Sequence, residues 1–343
     1  MPHQITIQPS GHTLQAHADE TILQAALREG YALPYGCRNG ACGACKGKVL
    51  EGSVDYGAYQ PNALPQSDID AGYALFCCAH PQSDVVIECR EVGAAKDIQI
   101  KTLPCRVQVM DKRAHDVMVL QLKLPATERL QFLAGQYIDI LLRDGRRRSF
   151  SIANAPHNDE FLELHVRHIP GGHFTGHVFE KMKEKDLLRF EGPLGTFFLR
   201  EGEEYDKPII FVAGGTGFAP IKGMLEHAFH AQDQREIVLY WGVRSLQDLY
   251  MAELPARWQA EHANFTFIPV LSEARPEDNW QGRSGLVHEA VMADFADLAG
   301  FDVYACGNPL MVEAVHMGLR AKGLQEDSFY SDAFLFEDPT KGD

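Results

Sequence analysis

Cys37-Arg38-Asn39-Gly40-Ala41-Cys42-Gly43-Ala44-Cys45 is the stretch on which the fold turns. Three thiols fall within nine residues of a polar, glycine-rich segment. Cys77 and Cys78 follow, while Cys89, Cys105 and Cys306 are scattered. Buried, inert cysteines would sit in an apolar pattern, which this is not. A C-x₂-C redox pair would use Cys42 and Cys45 and leave Cys37 and Cys77 without a part. Structural zinc is usually held by two C-x₂₋₄-C hooks, and no second hook accompanies Cys77. The spacing instead suits a loop that curls round a larger inorganic group, with Gly40 and Gly43 permitting positive φ and close backbone approach. Eight cysteines in 343 residues are too few for a disulfide scaffold, and in a reducing compartment such a cluster points to metal or catalysis.

Outward from that loop, the length suggests two or three domains. Apolar residues make up 45% and charged residues 23%, which excludes a disordered chain, a collagen-like repeat and a coiled coil. Asp plus Glu number 47 against 32 Lys plus Arg, a formal charge of −15. That balance argues against nucleic acid or an anionic membrane as the main partner. No apolar run approaches the ~18 residues of a membrane span. Met1-Pro2-His3-Gln4-Ile5-Thr6 has neither the basic start nor the apolar stretch of a signal peptide, so a cytoplasmic protein is expected.

Alternating Ile5 and Ile7 predict a strand. Leu23, Ala26 and Leu27 then share one face of a short helix that stops at Gly30, and Val85-Val86-Ile87 closes the first segment. Gly93-Ala94-Ala95-Lys96-Asp97 reads as a linker. Short β-like runs such as Val117–Leu124 and Tyr137–Leu142 follow. From Pro208 onward, strand-like runs (Ile209–Ala213, Ile237–Trp241, Phe265–Val270, Val303–Cys306) alternate with helical patterns, which predicts a parallel sheet covered by helices. Residues 336–343 read as a polar, frayed tail. The expected division is 1–92, a linker at 93–102, then 103–203 and 204–343.

With 31 residues between Cys45 and Cys77, the cysteines follow the C-x₄-C-x₂-C…C spacing of plant-type [2Fe–2S] ferredoxins. Two irons and two sulfides need four thiolates and a loop whose amides point inward at sulfur. Spacing alone leaves the fourth ligand open between Cys77 and Cys78. Leu75-Phe76-Cys77-Cys78-Ala79 resembles the ferredoxin segment in which the ligand is followed by a small residue and alanine. That resemblance implies Cys37, Cys42, Cys45 and Cys77 as ligands.

A second constellation is Arg148-Ser149-Phe150-Ser151, followed by Gly171-Gly172-His173-Phe174-Thr175. Arg and Ser on a strand can hold a phosphate near a flavin ring, and a Gly-Gly turn opening a helix offers amides and a favourable dipole to a diphosphate. Together they resemble the R-x-Y-S and G-G-x-x-S/T motifs of the ferredoxin–NADP reductase superfamily, with Phe150 where Tyr is usual. The resemblance implies FAD and extends to Leu164-His165-Val166-Arg167, placing His165 and Val166 at the cofactor. A third constellation is Gly214-Gly215-Thr216-Gly217-Phe218-Ala219-Pro220, a strand running into glycines and a helix, where a dinucleotide could meet helix amides. Arg244, Ser272 with Glu273, and Cys306-Gly307-Asn308-Pro309 end later strands, where sheet ligands bind.

Over nearly the whole chain, the sequence resembles the single-chain flavin iron–sulfur reductases that serve oxygenases and a deoxysugar dehydrase. This implies an α+β β-grasp ferredoxin domain, an antiparallel β-barrel for FAD and an α/β Rossmann-like nicotinamide domain. It further implies a hydride passing from NAD(P)H to FAD, single electrons passing through the cluster, and a protein partner as acceptor. By the same resemblance Ser151 lies near the flavin, Cys306 beside the nicotinamide, and Asp332, where many relatives have Glu, close to both. Glu273, standing where NADPH-specific relatives commonly carry Arg, implies NADH. Two other readings stand beside this one: a flavin-site reductase of a small acceptor (quinone, ferric iron or free flavin), and a non-catalytic or zinc-stabilised scaffold.

Overall fold

The computed structural model describes residues 2–89, 92, 98–202 and 205–334. The linker expected at Gly93–Asp97, the tail at 336–343 and the division at 203–204 lie outside the described residues. The chain divides into two compact units, one of Met1–Gln99 with Leu194–Phe197, the other of Ile100–Pro193 with Phe198–Asp343. The second unit holds both the barrel and the parallel sheet described below. Among the described residues no helix is long and apolar enough to cross a membrane.

In the first unit, β1 (His3–Gln8) and β2 (His12–Ala16) form an antiparallel hairpin that points Ile5, Ile7, Leu14 and Ala16 inward. Helix α1 (Ile22–Arg28) packs against β2. There follow β3 (Lys46–Glu51), β4 (Val54–Asp55), α2 (Gln66–Asp70), β5 (Tyr73–Leu75), β6 (His80–Pro81) and β7 (Val85–Glu88). The main sheet runs β2-β1-β7-β3-β5, and β4 pairs with β6 apart from it. Strand β7 is parallel to β1 and antiparallel to β3, so this is the mixed sheet with a helix across it that the ferredoxin resemblance implies.

A capping box starts α1: Thr21 Oγ1 accepts from the Gln24 N–H at 3.2 Å, and Gln24 Oε1 accepts from the Thr21 N–H at 2.9 Å. The next two amides leave the helix. The Ile22 and Leu23 N–H groups donate to the carbonyls of Ala79 and Phe76, both at 2.9 Å. The orphan donors of the helix end therefore hold the backbone on either side of Cys77 and Cys78.

The second unit begins with β8 (Lys101–Lys112), β9 (Val117–Lys123), β10 (Tyr137–Leu141), β11 (Arg147–Ser151), β12 (Leu162–Arg167), α3 (His173–Glu180) and β13 (Leu187–Leu194). The strand order is β11-β10-β13-β8-β9-β12. An antiparallel bridge between Ile152 and Leu164 joins the two ends and closes a barrel. Leu120, Ile138, Ile140, Leu164 and Phe190 fill it with no exposure, and Phe174 and Val178 of α3 join that core.

The remainder is β14 (Ile209–Gly214), α4 (Phe218–His230), β15 (Ile237–Val243), α5 (Glu253–Glu261), β16 (Phe265–Leu271), β17 (Arg283–Ser284), α6 (Val287–Asp294), β18 (Asp302–Gly307), α7 (Pro309–Arg320) and β19 (Phe329–Ala333). The sheet order is β17-β16-β15-β14-β18-β19, with every pair parallel. Ile209–Ala213 of β14 is wholly buried, as a central parallel strand covered on both faces must be.

Because α1 anchors the Phe76–Ala79 segment, its cap bears on the cysteines. Thr21→Ala removes the acceptor for one N-terminal amide and is expected to cost about 1 kcal/mol. In a thermal melt followed by the visible absorbance of the iron–sulfur chromophore, bleaching should begin a few degrees earlier than in the wild type.

Candidate functional site

The loop from Cys37 to Cys45 turns its amides onto its own sulfurs. The Cys37 N–H donates to Cys42 Sγ at 3.4 Å. The Cys37 thiol is held down at about 6 by Cys42 and by the N–H groups of Asn39, Ala41 and Cys42. Cys42 is correspondingly pushed up by Cys37 and by burial. Cys45 and Cys77 form a second such pair. Cys77 is drawn down to about 3 by Cys45, Cys78 and the Gly40 amide, while Cys45 is pushed up. Cys78 Sγ lies 3.5 Å from Cys77 Sγ.

Two thiol pairs ringed by inward-facing amides suit a binuclear cluster.

In the barrel, Ser149 and Phe150 occupy β11 and Ser151 ends it, 6% exposed. The Ser149 hydroxyl donates to the buried Asp139 carboxylate at 2.6 Å, and Arg148 Nη1 donates to the Arg147 carbonyl at 2.6 Å. The Phe150 and Phe174 rings lie 5.4 Å apart, tying β11 to α3. Gly171 has φ +78°, and Gly172 begins α3 with no side-chain cap and no acidic residue in the first turn. Its N-terminus therefore suits an anion. Thr175 Oγ1 accepts from the Ile169 N–H at 3.1 Å, fixing the turn.

His165 lies on β12. Its ring is fully buried, with Nδ1 2.8 Å from the Tyr250 hydroxyl and Nε2 3.0 Å from Glu163 Oε1. Both nitrogens are committed to protein. Val166 is likewise buried, in the barrel core.

The parallel sheet brings its glycine turn, Cys306 and Asp332 together. Ala213 pairs with Cys306, and Cys306 with Asp332, in adjacent strands. Gly214 leads into a short 3₁₀ turn over Gly215–Gly217 and then α4, which holds Pro220 in its first turn. A Cβ at Gly217 would lie 2.0 Å from the Cys306 carbonyl oxygen, so only glycine lets the turn rest there. Thr216 is buried beside it, and Trp241 Nε1 donates to the Gly215 carbonyl at 2.9 Å while stacking on Phe218.

This turn packs against β12, and β12 bridges to Ile152, the neighbour of Ser151. Cys306 is fully buried, and burial with the nearby Asp332 pushes its thiol well up, so it stays protonated. Gly307 follows it and Pro309 opens α7. At the far ends of β15 and β16 the Glu273 N–H donates to the Arg244 carbonyl at 2.7 Å, beside the exposed Ser272.

Helix α4 also carries a buried cation. Lys222, 6% exposed, stands in the apolar run Ile221-Lys222-Gly223-Met224-Leu225 of α4. Its Nζ lies 2.7 Å from Glu226 Oε1 and 3.1 Å from Glu163 Oε1, and donates to the Ala153 carbonyl at 3.1 Å. A charge at a core-facing helix position was the available signal. Burial works to raise the Glu163 carboxyl, but His165 and Lys222 outweigh it and hold Glu163 at about 2.

Three family models match in the same order along the chain. They are a 2Fe-2S iron-sulfur cluster binding domain over residues 5–82, an oxidoreductase FAD-binding domain over 104–199 and an oxidoreductase NAD-binding domain over 211–317. CDP-6-deoxy-L-threo-D-glycero-4-hexulose-3-dehydrase reductase of Yersinia pestis is 40% identical over 331 residues, covering 96% of this chain and 98% of that protein. The reductase component DmpP of phenol 2-monooxygenase from Pseudomonas sp. (strain CF600) is 36% identical, covering 97% and 95%. Among solved structures, the Amycolatopsis cytochrome P450 reductase GcoB superposes with a TM-score of 0.79 at 32% identity, over 97% of this chain and 98% of that one. With three cofactor domains in one order and relatives alike from end to end, this chain belongs to the family of single-chain reductases that carry electrons from NAD(P)H through FAD and a [2Fe–2S] cluster.

Proposed function

We propose that the protein takes a hydride from NADH at FAD and delivers the electrons one at a time, through the cluster, to a protein partner in the cytoplasm. The observation that carries this reading is the pairing of thiols in the Cys37–Cys45 loop, on a chain that also holds the barrel and the parallel sheet. When bound, FAD accepts two electrons and gives them up singly, and the cluster carries one at a time.

Cys37 and Cys42 would hold one iron, and Cys45 and Cys77 the other. Inward-facing amides favour the negative charge on sulfur. Arg148 and Ser149 would meet the flavin phosphates with the α3 N-terminus, and Phe150 would cover the ring. Gly214–Gly217 would seat the nicotinamide dinucleotide. Ser151 and Asp332 would place polar atoms at the hydride path. Cys306, a protonated thiol, is suited to packing beside the nicotinamide and not to covalent attack. The names of the relatives point to a partner that is either a sugar dehydrase or an oxygenase component.

Cys42→Ser in the full-length protein should remove most of the visible and EPR signals of the cluster and most cytochrome c reduction. NADH-dependent ferricyanide reduction, which draws on the flavin, should survive. Cytochrome c reduction at the wild-type rate would show that the flavin serves a small acceptor directly. Cys78→Ser should leave the cluster signals intact, and their loss there but not in Cys77→Ser would reverse the ligand assignment.

By the family resemblance, Glu273 would stand where a 2′-phosphate needs a cation. Arg275 is engaged within the protein, its Nη2 donating to Ser245 Oγ at 3.1 Å. A missing charge-assisted bond costs about 1.5–3 kcal/mol, so kcat/KM should favour NADH over NADPH by about tenfold or more. Steady-state assays with both nucleotides check this, and equal turnover would contradict it.

A further inference from the structure

Helix α4 meets the barrel along the backbone of residues 152–155. Three consecutive anchors make the joint. Lys222 Nζ donates to the Ala153 carbonyl at 3.1 Å. A Cβ at Gly223 would lie 3.0 Å from the Asn154 carbonyl and 3.3 Å from that of Ile152, so the helix lies directly on the chain there. Glu226 Oε2 accepts from the Ala155 N–H at 3.3 Å.

An ammonium has three protons to donate, and Lys222 directs them at three acceptors on three elements: Ala153 after β11, Glu163 on β12 and Glu226 on its own helix. A second arm reaches back from Tyr250 to His165. Burial pushes the His165 ring down, so it is neutral. Its Nε2–H then donates to Glu163, and the Tyr250 hydroxyl donates to Nδ1.

The ends of this joint are the two halves of the reaction. Ala153 is two residues beyond Ser151, and Lys222 is five residues beyond Gly217. A hydrophobic side chain could fill the same space without the cost of burying charge. What the ammonium adds is a fixed register between helix and strand.

We propose that Lys222 is a positioning residue for hydride transfer: through Ala153 and Glu163 it sets the Gly214–Gly217 turn against the strand end that carries Ser151. This rests on the reading of that crevice as the place where nicotinamide meets flavin.

The test uses the full-length holoprotein, mixed anaerobically with NADH in a stopped-flow spectrometer. Lys222→Met keeps the length of the side chain and removes its charge. The limiting rate of flavin bleaching should fall about tenfold or more, because a small misplacement of reacting atoms is that costly. The NADH concentration at half-saturation should move by less than about threefold. The long-wavelength charge-transfer absorbance of the nicotinamide–flavin pair should be lost, while FAD content and the oxidised flavin spectrum stay as in the wild type.

A variant that holds FAD, keeps the charge-transfer band and bleaches within about twofold of the wild-type rate overturns the inference and leaves Lys222 a structural ion pair. If Lys222→Met does not retain FAD, Glu226→Gln decides by the same readouts. It keeps the ammonium and loosens one anchor, so a weakened charge-transfer band with a slower limiting rate supports the inference, and wild-type values overturn it. A wild-type protein that NADH fails to bleach overturns the underlying reading of the crevice, an outcome distinct from either variant result.

Discussion

Backbone lying directly on backbone is the constraint on which the second unit depends. At Gly217 the turn after β14 rests on the carbonyl of Cys306, and at Gly223 helix α4 rests on the chain that follows β11. A side chain at Gly217 would push the elements apart by more than packed interiors can absorb, and one at Gly223 would crowd the carbonyls of Ile152 and Asn154. These two contacts set β14 against β18, and α4 against the chain that follows β11. The polar groups there follow from that closeness: Lys222 reaches Ala153 because Gly223 lets it, and Trp241 reaches the Gly215 carbonyl because the turn is tight.

Electrostatics divides the labour between the units. In the first, Cys37 and Cys77 are each drawn down by a partner thiol and by backbone amides, a setting that favours negative sulfur. In the second, the buried charges are paired with one another, and Cys306 is kept neutral by burial and Asp332. One site is thus built to hold charge on sulfur, and the other to keep charge off it. A protein that receives a hydride at one place and passes single electrons from another needs both.

Much of this was legible in the sequence. The thiol spacing, the alternation of Ile5 and Ile7, and the apolar runs from Ile209 to Cys306 all correspond to the elements found. Each reflects a local rule: ligand spacing, period-two alternation, or a fully buried central strand. Less legible was whatever depends on long-range contact. The His165 ring bonds Glu163 and Tyr250, and Tyr250 lies 85 residues away. Lys222 reads as an interruption in an apolar helix until Glu163 and Ala153 are seen beside it. Trp241 reads only as the end of a strand until its bond to the Gly215 carbonyl, 26 residues away, is seen. Nothing in residue spacing announces that the barrel and the parallel sheet form one compact unit.

The central claim is that electrons enter at the flavin and leave through the cluster. It is tested most directly by mixing the anaerobic full-length protein with NADH, following flavin absorbance by stopped flow and the reduced cluster by freeze-quench EPR. The expected result is that flavin bleaching comes first, that the cluster signal then grows as the flavin begins to reoxidise, and that FAD-depleted protein gives no cluster signal. A cluster that NADH never reduces, or that it reduces equally fast without FAD, would contradict the claim.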